Sequence, residues 1–363
     1  MADAAPAGWA ARLQAAWLTR GVFAVCLLPL AALFGTLVAL QRALYRNGLL
    51  PTTRLPVPVI VVGNLVVGGA GKTPTVIALV RHLQARGRTP GIVSRGYGRS
   101  ADTRVDVQTD TPVSEAGDEP LLLRLRTGAP VVVGRDRAAV GRALLRLHPA
   151  VDVLVSDDGL QHHRLARDLQ LLVFDERGVG NGWLLPAGPL REPMAATPPA
   201  DTLVLYNASA PSTPWPGSLA RRGLSGVSLI DDWWRGQAPS PAALEALRGR
   251  SLLAVAGLAR PGRFFEMLRA QGLTIATRTL PDHDAYAAQP WPADTADVIV
   301  TEKDAVKLKP GRSGATRVWV ATLDFGFDTG FTAALDAALA HRLPPLVQPP
   351  LESTESDHGN TPA

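Results

Sequence analysis

Residues 59–73 read VIVVGNLVVGGAGKT. The β-branched run 59–62 suits a buried parallel strand, and it leads directly into glycines and a Gly-Lys-Thr triplet. Beyond it, over residues 75–86, Val76, Leu79, Val80 and Leu83 recur on one helical face before Gly87. Strand, glycine turn and helix together make a phosphate cradle. Small residues let successive backbone N–H groups curl around phosphate oxygens, Lys72 adds a point charge, and the Thr73 hydroxyl can hold Mg²⁺ where the helix begins. The segment Val66, Val67, Gly68, Gly69, Ala70, Gly71, Lys72 and Thr73 is therefore expected to bind a nucleoside triphosphate. The usual spacing puts a glycine at position 66, where this chain has Val66 with Gly63, Gly68 and Gly69 around it, so the loop is a variant.

From residue 55 to about 207, apolar strand candidates at 57–62, 91–94, 130–133, 151–155, 169–174 and 202–206 alternate with helical patterns. That alternation predicts an α/β fold of P-loop NTPase type: a mostly parallel sheet with helices on both faces. A Pro- and Ser-rich stretch reads as a linker over 209–222, and a smaller C-terminal α/β domain over 223–345 follows, with strands near 251–256, 273–277, 297–300 and 317–320 and a helix at 263–270. The polar, acidic end at 346–363 reads as a disordered tail.

Region 1–54 has a different character. Residues 21–40 carry no charged side chain and are flanked by Arg12, Arg20, Arg42 and Arg46. As a helix this stretch can cross a hydrocarbon core of about 30 Å, or lie in the interface with its arginines at the headgroups; basic residues on both flanks leave the topology open. The chain carries a formal charge of +5. Its Lys and Arg residues are scattered and no RNA-type aromatic motif accompanies them, which excludes a nucleic-acid partner and suits an anionic membrane surface or a phosphorylated substrate. A single cysteine, Cys26, rules out a disulfide framework and a cysteine metal site, and predicts a reducing compartment.

In open parallel sheets ligands collect at the carboxyl ends of the strands. After the strand at 151–155 come Ser156, Asp157, Asp158, Gly159, Leu160, Gln161, His162 and His163. An apolar strand ending in aspartate can place Mg²⁺ opposite Lys72 and Thr73, although spacing does not say which aspartate faces the ion. The loop 94–99, SRGYGR, exposes backbone and two arginines that can grip an anion. Asp118, opening Asp-Glu-Pro before an apolar helical run, is either a helix N-cap or a general base. Arg191 and Glu192 close an irregular glycine- and proline-rich loop and can serve phosphate or metal, or pair with each other.

Taken together, GNLVVGGAGKTP at 63–74, SRGYGR at 94–99, GDEP at 117–120, DDGLQH at 157–162, LPAGPLREP at 185–193, AVAGLARPGRFF at 254–265, PDHDAY at 281–286 and TEKDAVKL at 301–308 resemble the tetraacyldisaccharide 4'-kinase family of lipid A biosynthesis. The likeness spans about residues 55–325, and an N-terminal apolar helix also fits it. It implies ATP-dependent phosphorylation of the 4'-hydroxyl of a tetraacylated glucosamine disaccharide 1-phosphate, forming lipid IVA at the cytoplasmic face of the bacterial inner membrane. It implies ATP and Mg²⁺ as cofactors, membrane lipids and the acylated disaccharide as partners, and says nothing of protein partners. By motif, Asp118 is the base and His283 its partner, with Lys72 on the phosphates. Mg²⁺ falls to Thr73, Asp157 or Asp158, and Glu192; Arg95, Tyr97, Gln161, His162 and Arg191 are substrate or phosphate contacts. The chain departs from the family at Leu160, in place of a common phenylalanine, and at Asp284, where a second acid can raise the histidine pKa or compete for its hydrogen bond.

The rival reading is a membrane-tethered NTPase switch or transport motor without a metabolite acceptor. Against a guanine-binding version, Thr301-Glu302-Lys303-Asp304 has lysine and acid in the wrong order and otherwise reads as a charged turn after a strand.

Overall fold

The computed structural model describes residues 9–99, 103–312 and 314–343; the tail expected at 346–363 lies outside them. Eight strands form the first sheet: β1 (Val59–Gly63), β2 (Pro90–Ser94), β3 (Val105–Asp106), β4 (Val131–Val133), β5 (Val153–Asp157), β6 (Leu169–Asp175), β7 (Thr202–Asn207) and β8 (Ser218–Leu219). Their order is β3-β4-β2-β5-β1-β6-β7-β8, parallel except for β3 on β4. The glycine-loop strand β1 is thus central, with β5 and β6 as its neighbours.

Alternation along β1 assigns its side chains to two cores. Ile60 and Val62 face Val76, Leu79, Val80 and Leu83 of the helix Lys72–Ala85, whereas Val59 and Val61 face Leu144 of the helix Arg137–Leu147, with Phe174 and Tyr206. All of β1, β2, β4 and β5 is buried, which is why these segments read as unbroken apolar runs.

The second sheet is ordered β11-β10-β12-β13-β9, from β9 (Arg221–Leu229), β10 (Leu252–Ala256), β11 (Ile275–Thr279), β12 (Asp297–Thr301) and β13 (Arg317–Gly326). The expected linker 209–222 therefore carries β8 and the start of β9, and the chain changes sheets between Leu219 and Arg221. The arginines, glycines and serines of β9 hide its strand character; long antiparallel pairing with β13, shifted once between Thr322 and Leu323, imposes it. The core beneath the helix Lys72–Ala85 continues without a break into Val298, Val300, Val318, Val320 and Phe331 of the second unit. Across the same seam His82 Nε2 lies 2.7 Å from Asp336, and Arg126 pairs with Glu302.

The apolar N-terminus differs from the single helix expected over 21–40. It consists of Val22–Cys26 and Leu28–Arg46, interrupted at Leu27, because Pro29 lacks the N–H that an unbroken helix needs there and fits a first turn instead. The second helix is long and apolar enough to cross a membrane. Ala31 is buried, and Gly35 sits so close to Leu184 that a Cβ would come within 2.7 Å of it, while Leu30, Leu33, Leu37 and Leu40 are all more than half exposed. One face thus docks on the protein and a leucine face is left outward.

Candidate active site

The loop after β1 is held from three sides. Asn64 donates to the Gly68 carbonyl (3.3 Å) and accepts from Lys72 Nζ (3.1 Å). Asn207, at the end of β7, donates from Nδ2 to the Ala70 carbonyl (3.0 Å), and Gly71, with φ +94°, lies against that amide. Val66 is buried in the core and bridged to Leu190, and the Val67 N–H is taken by the Pro189 carbonyl (2.9 Å). Val66 and Val67 therefore fasten the loop to the 180–192 segment instead of facing phosphate as expected. The exposed backbone begins at Gly68 and Gly69 and leads to Lys72 and Thr73, whose first-turn N–H groups a helix leaves without intrahelical partners. Gly63 makes room for Leu160, whose Cβ would stand 2.6 Å from a Cβ at position 63; Leu160 is buried, so its departure from phenylalanine is a matter of packing.

Asp157 closes β5 directly beside Val62. Ser94 donates to its Oδ2 (3.0 Å), but Oδ1 is buried without a partner. Burial, with the charges of Glu119 and Asp158, pushes this carboxyl up to about 7. Asp158 is differently placed. Burial would raise it, but Lys72 (3.6 Å) and Arg191 (3.0 Å) hold it below the ordinary carboxylate range. Arg191 also donates to Gln161 Oε1 (3.2 Å), and Gln161 donates to Glu192 (3.0 Å). Glu192 pairs with Arg42 of the N-terminal helix (3.1 Å), so Arg191 and Glu192 do not pair with each other. His162 lies 3.9 Å from Asp136, and burial, then Arg137, pushes it down to about 4, which leaves a neutral ring. Among the described residues no group of three or more His, Cys, Asp or Glu forms a metal cage. The fit for a cation rests instead on the orphaned Asp157 Oδ1, at the end of the strand beside β1 that leads into the glycine loop, the kind of donor that suits an ion held mainly by phosphate oxygens.

Asp118 is the first residue of the helix Asp118–Thr127, preceded by Gly117 at φ +87°, and it is buried. It is not the N-cap, a position that Gly117 takes. Its Oδ1 accepts from the Glu119 N–H (2.9 Å), and its Oδ2 accepts from His283 Nδ1 (2.9 Å), which reaches across from the second unit. Burial would raise the Asp118 carboxyl, but the His283 bond and the Lys303 charge outweigh it and hold it low. His283 is raised, first by that bond, against burial and Lys303. The histidine backbone is left-handed (φ +62°), and its ring lies 5.1 Å from that of Tyr97 in the exposed loop after β2. Arg95, in the same loop, is exposed. Asp284, expected to disturb the histidine, is turned away to accept from the Tyr286 N–H (2.8 Å); the acid near His283 Nε2 is Asp282, at 3.8 Å.

Three participants escaped the sequence reading. Asn207 and Asp175 end β7 and β6, so the strand-end rule that finds Asp157 applies equally to them. Asp175 is fully buried and binds Arg177, which in turn donates to the Val67 carbonyl (3.1 Å), and it pairs with Arg260 of the second unit (3.3 Å). The third is Lys303, whose ammonium lies 3.1 Å from Glu119 and 4.0 Å from Asp118.

A family profile described as tetraacyldisaccharide-1-P 4'-kinase matches residues 23–340. The chain is 57% identical over 329 residues to the tetraacyldisaccharide 4'-kinase of Methylibium petroleiphilum, covering 89% of this chain and 92% of that one. It is 54% identical over 339 residues to that of Leptothrix cholodnii, covering 92% and 97%. The crystal structure of LpxK from Aquifex aeolicus in complex with ATP superposes with a TM-score of 0.74 at 27% identity, covering 89% of this chain and all of that one.

Proposed function

The chain belongs to the tetraacyldisaccharide 4'-kinase family, and from that premise we propose that Asp118, oriented by His283, is the base that prepares the acceptor hydroxyl for attack. The enzyme transfers the γ-phosphoryl group of ATP to the 4'-hydroxyl of tetraacyldisaccharide 1-phosphate, forming lipid IVA. A sugar hydroxyl holds its proton tightly, so a carboxylate that accepts it as the O–P bond forms lowers the barrier. The observation that carries this reading is the 2.9 Å bond between a buried carboxylate at the head of one helix and a histidine in the loop after β11 of the second unit. Gly117, just before Asp118, packs against Gly96 and Tyr97 of the loop after β2, whose Ser94 donates to Asp157, so that helix start lies near the carboxyl end of β5.

On this reading the glycine loop from Gly68 to Thr73 cradles the triphosphate, and Lys72, braced by Asn64 and Asp158, meets its charge. Thr73 and Asp157 are the residues that would hold Mg²⁺, which when bound neutralises charge on the phosphate oxygens. Asp158 and Glu192 complete the surround while fixing Lys72, Arg191, Gln161 and Arg42. Arg95, Tyr97, Gln161, His162 and Arg191 line the approach of the anionic acceptor. Facing one another from two sheets, Asp118 and His283 need both units in place for the transfer. The leucine face of Leu28–Arg46 lies in the cytoplasmic leaflet of the inner membrane, where the acylated acceptor resides.

Radiolabelled ATP, Mg²⁺, detergent and tetraacyldisaccharide 1-phosphate test the reading directly. Asp118→Asn should lower label transfer to lipid at least about a hundredfold while ATP affinity is kept. Normal turnover by Asp118→Asn would reduce Asp118 to a helix residue, and ATP hydrolysis indifferent to the acceptor with no labelled lipid would sink the kinase reading. Deleting the residues before Arg42 should release protein from membranes; full retention would move the anchor elsewhere.

A further inference from the structure

The Thr-Glu-Lys-Asp tetrad after β12, a charged turn by its sequence alone, lands on the Asp118–His283 pair. Its two carboxylates build a pedestal. Buried Glu302 binds Arg126, accepts from Trp233 Nε1 (3.1 Å) and accepts from the Leu323 N–H (3.3 Å). Asp304, fully buried, accepts from the Gly257 N–H (3.2 Å), from Thr301 Oγ1 (2.7 Å) and from Lys307 (3.3 Å). Between them Lys303 projects with only 17% of its side chain exposed. Its ammonium meets Glu119 Oε1 at 3.1 Å, Asp282 Oδ1 at 3.2 Å and His283 Nε2 at 3.4 Å.

An ammonium has three N–H donors and no acceptor. With two donors on carboxylates and the third aimed at Nε2, that nitrogen must offer a lone pair, since a proton there would face a cation. The acceptor-only carboxylate of Asp118 demands the complementary state at Nδ1, which is an N–H. We infer that Lys303 is a positioning residue for phosphoryl transfer, donating to the Nε2 lone pair of His283 so that the ring gives its single proton to Asp118 and Asp118 alone receives the proton of the acceptor hydroxyl. The inference rests on the reading of Asp118 as base. In the balanced step the acceptor oxygen bonds to Pγ, the bond from Pγ to the β-phosphate oxygen breaks, the hydroxyl proton goes to Asp118, and His283 neither gains nor loses a proton.

The charged groups around the ring agree in role. Asp118 faces it from the helix Asp118–Thr127, Asp282 from its own loop, the Tyr97 phenol from the loop after β2, and Lys303 from the short helix Glu302–Ala305; Glu119 meets Lys303 and not the ring, and Lys307 is turned to the Tyr286 ring. The acids favour a second proton on His283, and Lys303 is the cation opposing it. Burial works against the Lys303 charge, but Glu119, Asp118 and Asp282 outweigh it and keep the ammonium protonated.

Full-length protein labelled with ¹⁵N-histidine in detergent micelles, with His283 assigned through His283→Gln, provides the test. In the wild type, above the pH at which the ring titrates, Nε2 should report an unprotonated nitrogen that accepts a hydrogen bond. In Lys303→Met the titration midpoint of His283 should rise by about one pH unit or more, the size expected for a unit charge removed at this distance even with water-like screening. The acidic limb of kcat/KM should move up with it, and ATP affinity should not change. Lys303→Arg should keep the midpoint near that of the wild type. An unmoved or lowered midpoint in Lys303→Met means that Lys303 merely clasps the two units and overturns the inference. So does a wild-type ring whose neutral form carries its proton on Nε2, a result that needs no variant to fold. Failure of the underlying reading looks different: Asp118→Asn would turn over normally whatever the ring nitrogens report.

Discussion

Replacing Gly71 by alanine should damage nucleotide binding through two separable costs. At φ +94° the residue is further into the left-handed region than most side chains tolerate, which costs an alanine about 1–2 kcal/mol. The new Cβ would also stand 2.1 Å from Asn207 Nδ2, so the amide must swing away and give up its 3.0 Å bond to the Ala70 carbonyl, worth about 0.5–1.5 kcal/mol. The sum, roughly 1.5–3.5 kcal/mol, corresponds to an ATP dissociation constant raised about ten- to several-hundredfold. If the loop relaxes before nucleotide arrives, part of this appears as a melting temperature lowered by a few degrees. Titration calorimetry with a non-hydrolysable ATP analogue, paired with thermal melts, measures both. The same geometry predicts how a second change combines. Asn207→Ala alone should cost only the lost hydrogen bond, and the double variant should bind no worse than Gly71→Ala, because the clash has already broken that bond. A Gly71→Ala protein with ATP affinity within threefold of wild type and an unchanged melt would refute the reasoning, as would full additivity in the double variant.

Lys72→Ala should weaken ATP binding about ten- to a hundredfold through loss of a charge-assisted contact, as read by the same calorimetry. Glu302→Ala leaves the half-buried Arg126 without its partner and should destabilise the protein by about 2–4 kcal/mol in denaturant melts, with Glu302→Met/Arg126→Met far closer to wild type. The Asp118–His283 bond gives a pH signature whose sign follows from the two shifts. The raised histidine contributes stability below its ordinary 6.5 and loses it as pH rises through its elevated value; the lowered aspartate contributes above its ordinary 3.8 and loses it as pH falls. The gap in melting temperature between wild type and His283→Asn should therefore be widest between 3.8 and 6.5 and narrow in alkali; a gap that grows with alkalinity would contradict the pairing. Asparagine is the chosen replacement because it accepts the left-handed backbone at position 283.

What could be read from the sequence follows the range of the forces involved. Strands buried on both faces, such as β1 and β5, announce themselves as apolar runs, and their ends fall within a few residues of expectation. Strand β9 does not, because its pairing with β13, and not its own arginines and glycines, makes it a strand. The break at Leu27 does have a local signal, in Pro29. At the site, the glycine loop and the aspartates after β5 follow from strand-end chemistry within short stretches of chain. The pairing of Asp118 with His283 has no local cause; resemblance alone suggested it, across 165 residues. Lys303 and Glu119 meet across 184. No periodicity encodes such a meeting, since it is produced by the packing of one sheet's helices on the other sheet's face.

The apolar body beneath the helix Lys72–Ala85 belongs to both sheets, for Val76 and Leu79 share it with Val298, Val300 and Phe331. Neither half can detach without wetting the other's interior, so the two should melt as one calorimetric unit. A proteolytic fragment ending near residue 220 would keep its nucleotide loop but lose one wall of the core under it. Separate expression of the halves should thus yield aggregation-prone protein that recovers only when the two are mixed.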